Sequence, residues 1–94
     1  MSLVFEWDSV KAWQNKAKHG VTFEEAQTVF RDPLGGIIDD PLHSMDEQRL
    51  LLIGMSDRQR LITVMFTEKG DRIRLISARL VTRAERRNYE ETSR

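Results

Sequence analysis

The 94-residue sequence contains no cysteine, which removes disulfides, thiolate metal sites and a cysteine nucleophile from consideration. It has two histidines, His19 and His43, without the paired spacing of a zinc site. No apolar run approaches membrane-spanning length, and the start, Met1-Ser2-Leu3-Val4-Phe5-Glu6-Trp7-Asp8, lacks the basic and apolar stretches of a signal peptide. A cytoplasmic protein with no membrane partner is therefore expected. Two prolines, five glycines and the absence of repeats, low-complexity tracts or linkers predict a single domain over residues 1–94. An apolar fraction of 39% is enough for a core, and a charged fraction of 32% describes a crowded polar surface.

Net charge is missing too, but only in the sum. Residues 1–47 carry nine acids and four bases, whereas residues 48–94 carry eleven bases and six acids. Between Arg72 and Arg87 stand six arginines, a single acid (Glu85) and no lysine. Guanidinium groups match phosphate bidentately and stay charged at any cellular pH, so this cluster points to a nucleic-acid partner. The plainer alternative is mutual neutralisation of the two halves across a solvated surface.

The pattern predicts a short strand over Leu3–Glu6, then a helix capped by Asp8 or Ser9. Its apolar stripe is Val10, Trp13 and Ala17, with Lys11, Lys16 and Lys18 facing water and Gly20 ending it. Thr22-Phe23-Glu24-Glu25 reads as a capping box opening a second helix that buries Phe23, Ala26, Val29 and Phe30 and stops at Asp32-Pro33. Gly36–Asp39 reads as a short strand and Pro41–Asp46 as a loop. Three stronger strands follow at Gln48–Met55, Arg60–Thr67 and Arg72–Leu80, joined by hairpin-sized connections. Thr82-Arg83-Ala84-Glu85 is a second capping box, opening a helix to about Glu91 with almost no apolar stripe, a helix suited to move or to meet a partner. The predicted fold is α+β, strand-helix-helix-strands-helix, with the two N-terminal helices packed on one face of an antiparallel sheet.

These residues admit several chemistries. The acids Asp39, Asp40, Asp46 and Glu47 lie in and beside one loop, but no element sets two of them facing each other, so no metal site or cofactor is predicted. Metal-free RNA cleavage fits better, because the 2′-hydroxyl is an internal nucleophile. The enzyme then needs a base, cations for the phosphorane and a donor for the leaving oxygen. Arg79, at a strand end, is the natural clamp, with Arg83 and Arg86 converging on the same phosphate; the structural alternative is that Arg79 pairs with Glu85 and pins the helix. Glu47 or His19 serves as base, and Lys69 or Arg79 stands near the leaving group; His19 at a helix end also complements the macrodipole. Trp7, Trp13 and Tyr89 offer stacking surfaces, the tryptophans being better placed in the core.

Taken together, Phe5-x-Trp7-Asp8, Asn15-Lys16-x-Lys18-His19-Gly20-Val21-x-Phe23-Glu24-Glu25-Ala26, Phe30-x-Asp32-Pro33, Glu47-x-Arg49, Phe66-Thr67-Glu68, Ile76-Ser77-Ala78-Arg79 and Glu85-Arg86-x-x-Tyr89 resemble, in order and spacing, the BrnT toxins of bacterial type II toxin–antitoxin systems. The resemblance implies a RelE-like ribonuclease fold, RNA cleavage that arrests growth, and neutralisation by an antitoxin whose ribbon-helix-helix domain binds operator DNA. DNA would then be contacted only through the complex. Arg49 and Lys18 join Arg83 and Arg86 as candidate RNA contacts. The residue after Phe66-Thr67-Glu68 is often arginine in that family and is Lys69 here, which keeps the charge and loses the fork. The competing reading is a non-catalytic module that binds an antitoxin and contributes to operator repression. An antitoxin is expected to cover the arginine cluster and shift the last helix.

Overall fold

The computed structural model describes residues 3–39 and 48–92. Glu47, Asp40, His43 and Asp46, and the loop predicted at Pro41–Asp46, lie outside the described residues. Along the chain the elements are β1 (Val4–Glu6), α1 (Ser9–His19), α2 (Phe23–Thr28) with a 3₁₀ turn at Val29–Arg31, β2 (Gly36–Asp39), β3 (Leu50–Met55), β4 (Leu61–Lys69), β5 (Arg72–Leu80) and α3 (Arg83–Thr92). The strands form one sheet in the order β1-β5-β4-β3-β2.

The sheet is mixed, which corrects the antiparallel expectation. β2 to β5 form the antiparallel meander that their short connections dictate, but β1 lies parallel to β5, with Val4 opposite Arg72 and Glu6 opposite Arg74. No local turn fixes β1, so tertiary packing chooses its partner. Phe5 meets Phe30 edge-to-face at 5.0 Å, Phe30 meets Phe66 at 4.9 Å, and Trp7 meets Phe23 at 5.9 Å. These rings border the core of Val21, Phe23, Ala26, Val29, Leu52, Ile62, Val64, Phe66, Ile73, Leu75 and Ala78 between the sheet and the N-terminal helices. The approach is close at Gly54, where a Cβ would stand 2.9 Å from Val29 Cγ1.

Helix α1 turns the opposite way from its predicted stripe. Asp8 caps it by accepting from the Val10 and Lys11 amides, and Gly20 closes it at a φ of 70°. Its one buried residue is Asn15, whereas Val10, Trp13 and Ala17 are exposed. The cause is an unpaired strand edge. β1 covers β5 only over Arg72–Arg74, and beyond it the Asn15 side chain takes the place of a neighbouring strand. Its Oδ1 accepts from the Ala78 amide at 3.0 Å, and its Nδ2 donates to the carbonyls of Ala78 at 2.8 Å and Val21 at 2.9 Å. Satisfying three backbone groups outweighs burying a short apolar stripe.

The first capping box closes on one side only. Thr22 Oγ1 accepts from the Glu25 amide at 3.0 Å, but the Glu25 carboxylate turns inward. There it accepts from Arg60 through Nε at 2.9 Å and through Nη2, and from Ser56 Oγ at 2.7 Å. The Arg60 hydrogen bond holds the Glu25 carboxyl below its ordinary pKa against the opposing effect of burial. A buried carboxylate needs such a paired, hydrogen-bonded cation, and Arg60 also ties down the end of α1 through the Gly20 carbonyl at 3.1 Å.

Candidate active site

The second face of the sheet carries Arg72, Arg74 and Arg79, and a β-bulge brings Arg79 to it. Along β5, Ile73 and Leu75 enter the core, and strict alternation would send Arg79 in as well. Between Met65 and Phe66 of β4 the register slips, so that Phe66 faces Leu75 and Met65 faces Ser77. Ile76 is the extra residue, and the parity of β5 reverses beyond it. Ala78 joins the core while Arg79 emerges on the same face as Arg72 and Arg74. The spacing shows the slip: Arg74 and Arg79 stand five apart, whereas their partners on β4, Thr67 and Thr63, stand four apart.

Arg79 is held firmly. Glu85 Oε1 accepts from its Nη1 at 2.8 Å and Oε2 from its Nη2 at 3.0 Å, while the Leu80 carbonyl takes a second Nη1 hydrogen at 3.3 Å. Glu85 also accepts from Thr63 Oγ1 at 2.9 Å and from the Thr82 amide at 2.8 Å, and Thr82 Oγ1 accepts from the Glu85 amide at 3.1 Å. The second capping box is thus complete and shares its carboxylate with the sheet. The Arg79 hydrogen bond is the chief cause of a Glu85 pKa lowered to about 2, and Glu85 in turn raises the pKa of Arg79. Both readings of Arg79 therefore coexist in its geometry. The end of the guanidinium is taken, but no described residue accepts from Nε–H or from the remaining Nη2 hydrogen. Those two donors form the side fork of the group, which matches two phosphate oxygens.

Arg49 reaches the same face from the start of β3, its Nη1 3.9 Å from Met65 Sδ and its Nε buried without a hydrogen-bond partner. Met65 faces Ser77, two residues before Arg79. Farther along the face, Glu6, Thr67, Lys69, Arg72 and Arg74 line a shallow basin, with Glu6 paired to Arg72 at 3.2 Å and to Arg74 at 3.3 Å. Both arginines are exposed, so these pairs add little stability and open readily. Among the described residues the face presents Arg49, Lys69, Arg72, Arg74 and Arg79 against Glu6 and Glu85.

Not all predicted site residues meet. Lys69 lies six residues along β4 from Thr63, the partner of Arg79, about 20 Å at the rise of a strand. Lys18 and His19 sit in the last turn of α1 beside Gly20, with no hydrogen bond or ion pair to Arg79 or Lys69 among the described residues. Arg83 and Arg86 are exposed on α3, turned about 160° and 100° around the helix from Glu85 by its regular winding, so they do not converge with Arg79. Arg49, also a predicted RNA contact, lies on the same sheet face as Arg79 instead. Among the described residues, no three of His, Asp or Glu gather as cation ligands.

Helix α3 buries no residue and is fixed by polar anchors. Besides Glu85, Tyr89 donates its hydroxyl to Asp32 Oδ2 at 2.7 Å. Burial, then the Asp32 carboxylate, pushes the phenol up to about 12. Burial alone would raise the Asp32 pKa, but the Met55 amide at 2.8 Å, the Tyr89 hydroxyl and the Leu34 amide at 2.9 Å outweigh it and lower it. Tyr89 is thus engaged as an anchor rather than offered as a stacking platform, and of the tryptophans only Trp7 is packed against the core.

Comparison with proteins of curated function gives no match. Among solved structures, the chain is similar to the Brucella abortus ribonuclease toxin BrnT, with a TM-score of 0.60 and 27% identity over 88% of this chain and 99% of that one. The family described as the ribonuclease toxin BrnT of type II toxin–antitoxin systems matches residues 7–85, bulge, Arg79 and Glu85 included. The match favours a toxin over the non-catalytic module, and the chain belongs to the BrnT family of ribonuclease toxins.

Proposed function

We propose that this toxin cleaves single-stranded RNA on the basic face of its sheet, with Arg79 as the clamp on the scissile phosphate. The observation that carries this reading is the geometry of Arg79: Glu85 and the Leu80 carbonyl orient the guanidinium, and its Nε/Nη2 fork remains for a ligand. A cation fixed before the reaction stabilises the charge that builds on the phosphorane without reorganisation during the step. Glu85 is the positioning residue. With a pKa of about 2 it is too weak a base to take the 2′-hydroxyl proton.

Arg49 contributes charge beside Met65, and Lys69, Arg72 and Arg74 hold the flanking backbone of the RNA. Lys69 is thereby moved from leaving-group donor to backbone contact, since a phosphate at Arg79 lies several nucleotides away from it. Lys18 and His19 are given no part in the step at Arg79. The reaction needs no cofactor: the nucleophile belongs to the RNA, and the guanidinium supplies the positive charge.

We further assign the fold to the RelE-like class, with action in the bacterial cytoplasm, where the RNA is. The antitoxin is taken to carry a ribbon-helix-helix domain, so that operator DNA is reached through the complex alone. Among the described residues no helix is long and apolar enough to cross a membrane.

The test is cleavage of single-stranded RNA by the purified toxin in excess chelator, wild type beside Arg79→Lys. Wild type should cleave, and Arg79→Lys should be slower by roughly tenfold or more, because a point charge loses the fork. Cleavage that vanishes with chelator and returns with magnesium would reject the metal-free step, and full activity in Arg79→Lys would make the residue structural only.

A further inference from the structure

We infer that the outward face of α1 is a docking surface for the antitoxin, with Trp13 as its anchor. Helical winding places Trp13 and Ala17 about 160° from Asn15 on either side and Val10 about 140° from it, so the three form one stripe pointing away from the body. Trp13 is 72% exposed and Val10 61%. Single exposed aliphatic residues are ordinary, but a tryptophan left in water in line with two apolar neighbours on a regular helix is not. Its indole is also the side chain most enriched among residues that dominate protein interfaces.

Charge decides what fits. From Ser9 to His19 the helix has no acidic residue, and Lys11, Lys16 and Lys18 are exposed without an ion pair to any described residue. Lys16 borders the stripe on one side, and Lys11 and Lys18 lie toward the other. The complement is an amphipathic segment with an apolar ridge and acidic flanks, and the family supplies a protein partner in its antitoxin. RNA would suit the lysines, yet Val10 and Ala17 offer a phosphate or a base edge nothing.

The location also gives such a partner an effect on the site. Asn15 binds α1 to the amide and carbonyl of Ala78, and Arg79 is the next residue. A segment seated on α1 is anchored beside the strand end that carries the clamp, from which its continuing chain reaches the basic face. This inference rests on the family having an antitoxin, not on the role proposed for Arg79.

The experiment measures the affinity of the full-length toxin for its cognate antitoxin by calorimetry, alongside RNA cleavage without antitoxin and thermal unfolding. Because Trp13 makes no core contact, Trp13→Ala should fold as wild type does and keep its cleavage rate, yet bind antitoxin roughly thirtyfold more weakly. Lys11→Glu with Lys16→Glu should weaken binding further and flatten its dependence on salt. Antitoxin affinity within about twofold of wild type in Trp13→Ala, a change too small for an interface anchor, overturns the inference. So does loss of RNA binding with antitoxin binding intact, which would make the stripe an RNA platform. Self-association of the free toxin that Trp13→Ala abolishes while antitoxin affinity is kept would assign the stripe to a second copy instead. If cleavage is absent in wild type too, the antitoxin measurement still decides the matter.

Discussion

Replacing Glu85 by Gln separates the two duties that meet at Arg79. The substitution keeps size and leaves one oxygen for the Thr82 amide, but it turns an amide nitrogen toward a guanidinium that has only donors. A carboxyl lowered from 4.5 to about 2 corresponds, taken whole, to about 3 kcal/mol of folding free energy. The Arg79 side chain is 37% exposed, so solvent screening reduces this to about 1–2 kcal/mol. The sign follows from the direction of the shift. A carboxyl with a lowered folded-state pKa contributes in full above its unfolded value, near 4.5, and loses that contribution as pH falls toward about 2. Urea denaturation should therefore show Glu85→Gln less stable than wild type at pH 7, with the gap shrinking to roughly half or less at pH 3. Cleavage should fall by roughly tenfold in kcat with little change in KM, because the clamp is still present but no longer aimed. An equal stability gap at both pH values, or none at pH 7, would show that the ion pair does not hold α3. A variant with unchanged kcat would show that Arg79 needs no positioning.

Two further outcomes test the supports around the site. Asn15→Ala leaves the Ala78 amide and two carbonyls without partners in a buried edge, and should cost about 3 kcal/mol in denaturant unfolding, whereas Asn15→Asp should keep the bond to the Ala78 amide and lose those to the carbonyls. Tyr89→Phe removes one hydrogen bond to a carboxylate, about 1.5–3 kcal/mol, and hydrogen exchange should quicken across residues 83–92 while the β3–β4 amides stay protected; unchanged exchange there would mean that Glu85 alone fixes the helix.

What the sequence made legible was whatever local chemistry decides. The strands β3 to β5 declare themselves by runs of Leu, Ile and Val and by short turns, α2 by Thr22 and its spaced apolar residues, and α3 by Thr82 and Glu85. Two things were hidden because they depend on partners far along the chain. The edge left open on β5 recruits Asn15 across sixty-three residues, and that contact rotates α1 against its own apolar periodicity. The inward turn of Glu25 likewise needs Arg60, thirty-five residues away. Of the candidate site, Arg79 was singled out by its place at a strand end and its match to a family motif, and Arg49 by the family pattern. That Arg49, and not Arg83 or Arg86, shares the sheet face of Arg79 was not legible, because it requires the register of three strands and the slip at Met65/Phe66.

That slip links stability to function. Under strict alternation, burying Ile73 and Leu75 would turn Ala78 out of the core and Arg79 into it. The bulge at Ile76 lets Leu75 and Ala78 both be buried while Arg79 stands on the open face, with Asn15 holding Ala78 from the edge and Glu85 holding Arg79 from above. Arg79 is thus suspended between two helices of unlike strength. On one side α1 is fixed by a buried amide with three hydrogen bonds; on the other α3 buries nothing and rests on Glu85 and Tyr89. Displacement of the chain around Arg79 is expected to begin at α3, because that helix buries no residue of its own and its ion pair to Arg79 is partly exposed. An antitoxin that grips α1 and extends across the sheet face therefore meets least resistance in lifting α3, and the removal of Glu85 from Arg79 would disarm the clamp without unfolding the core.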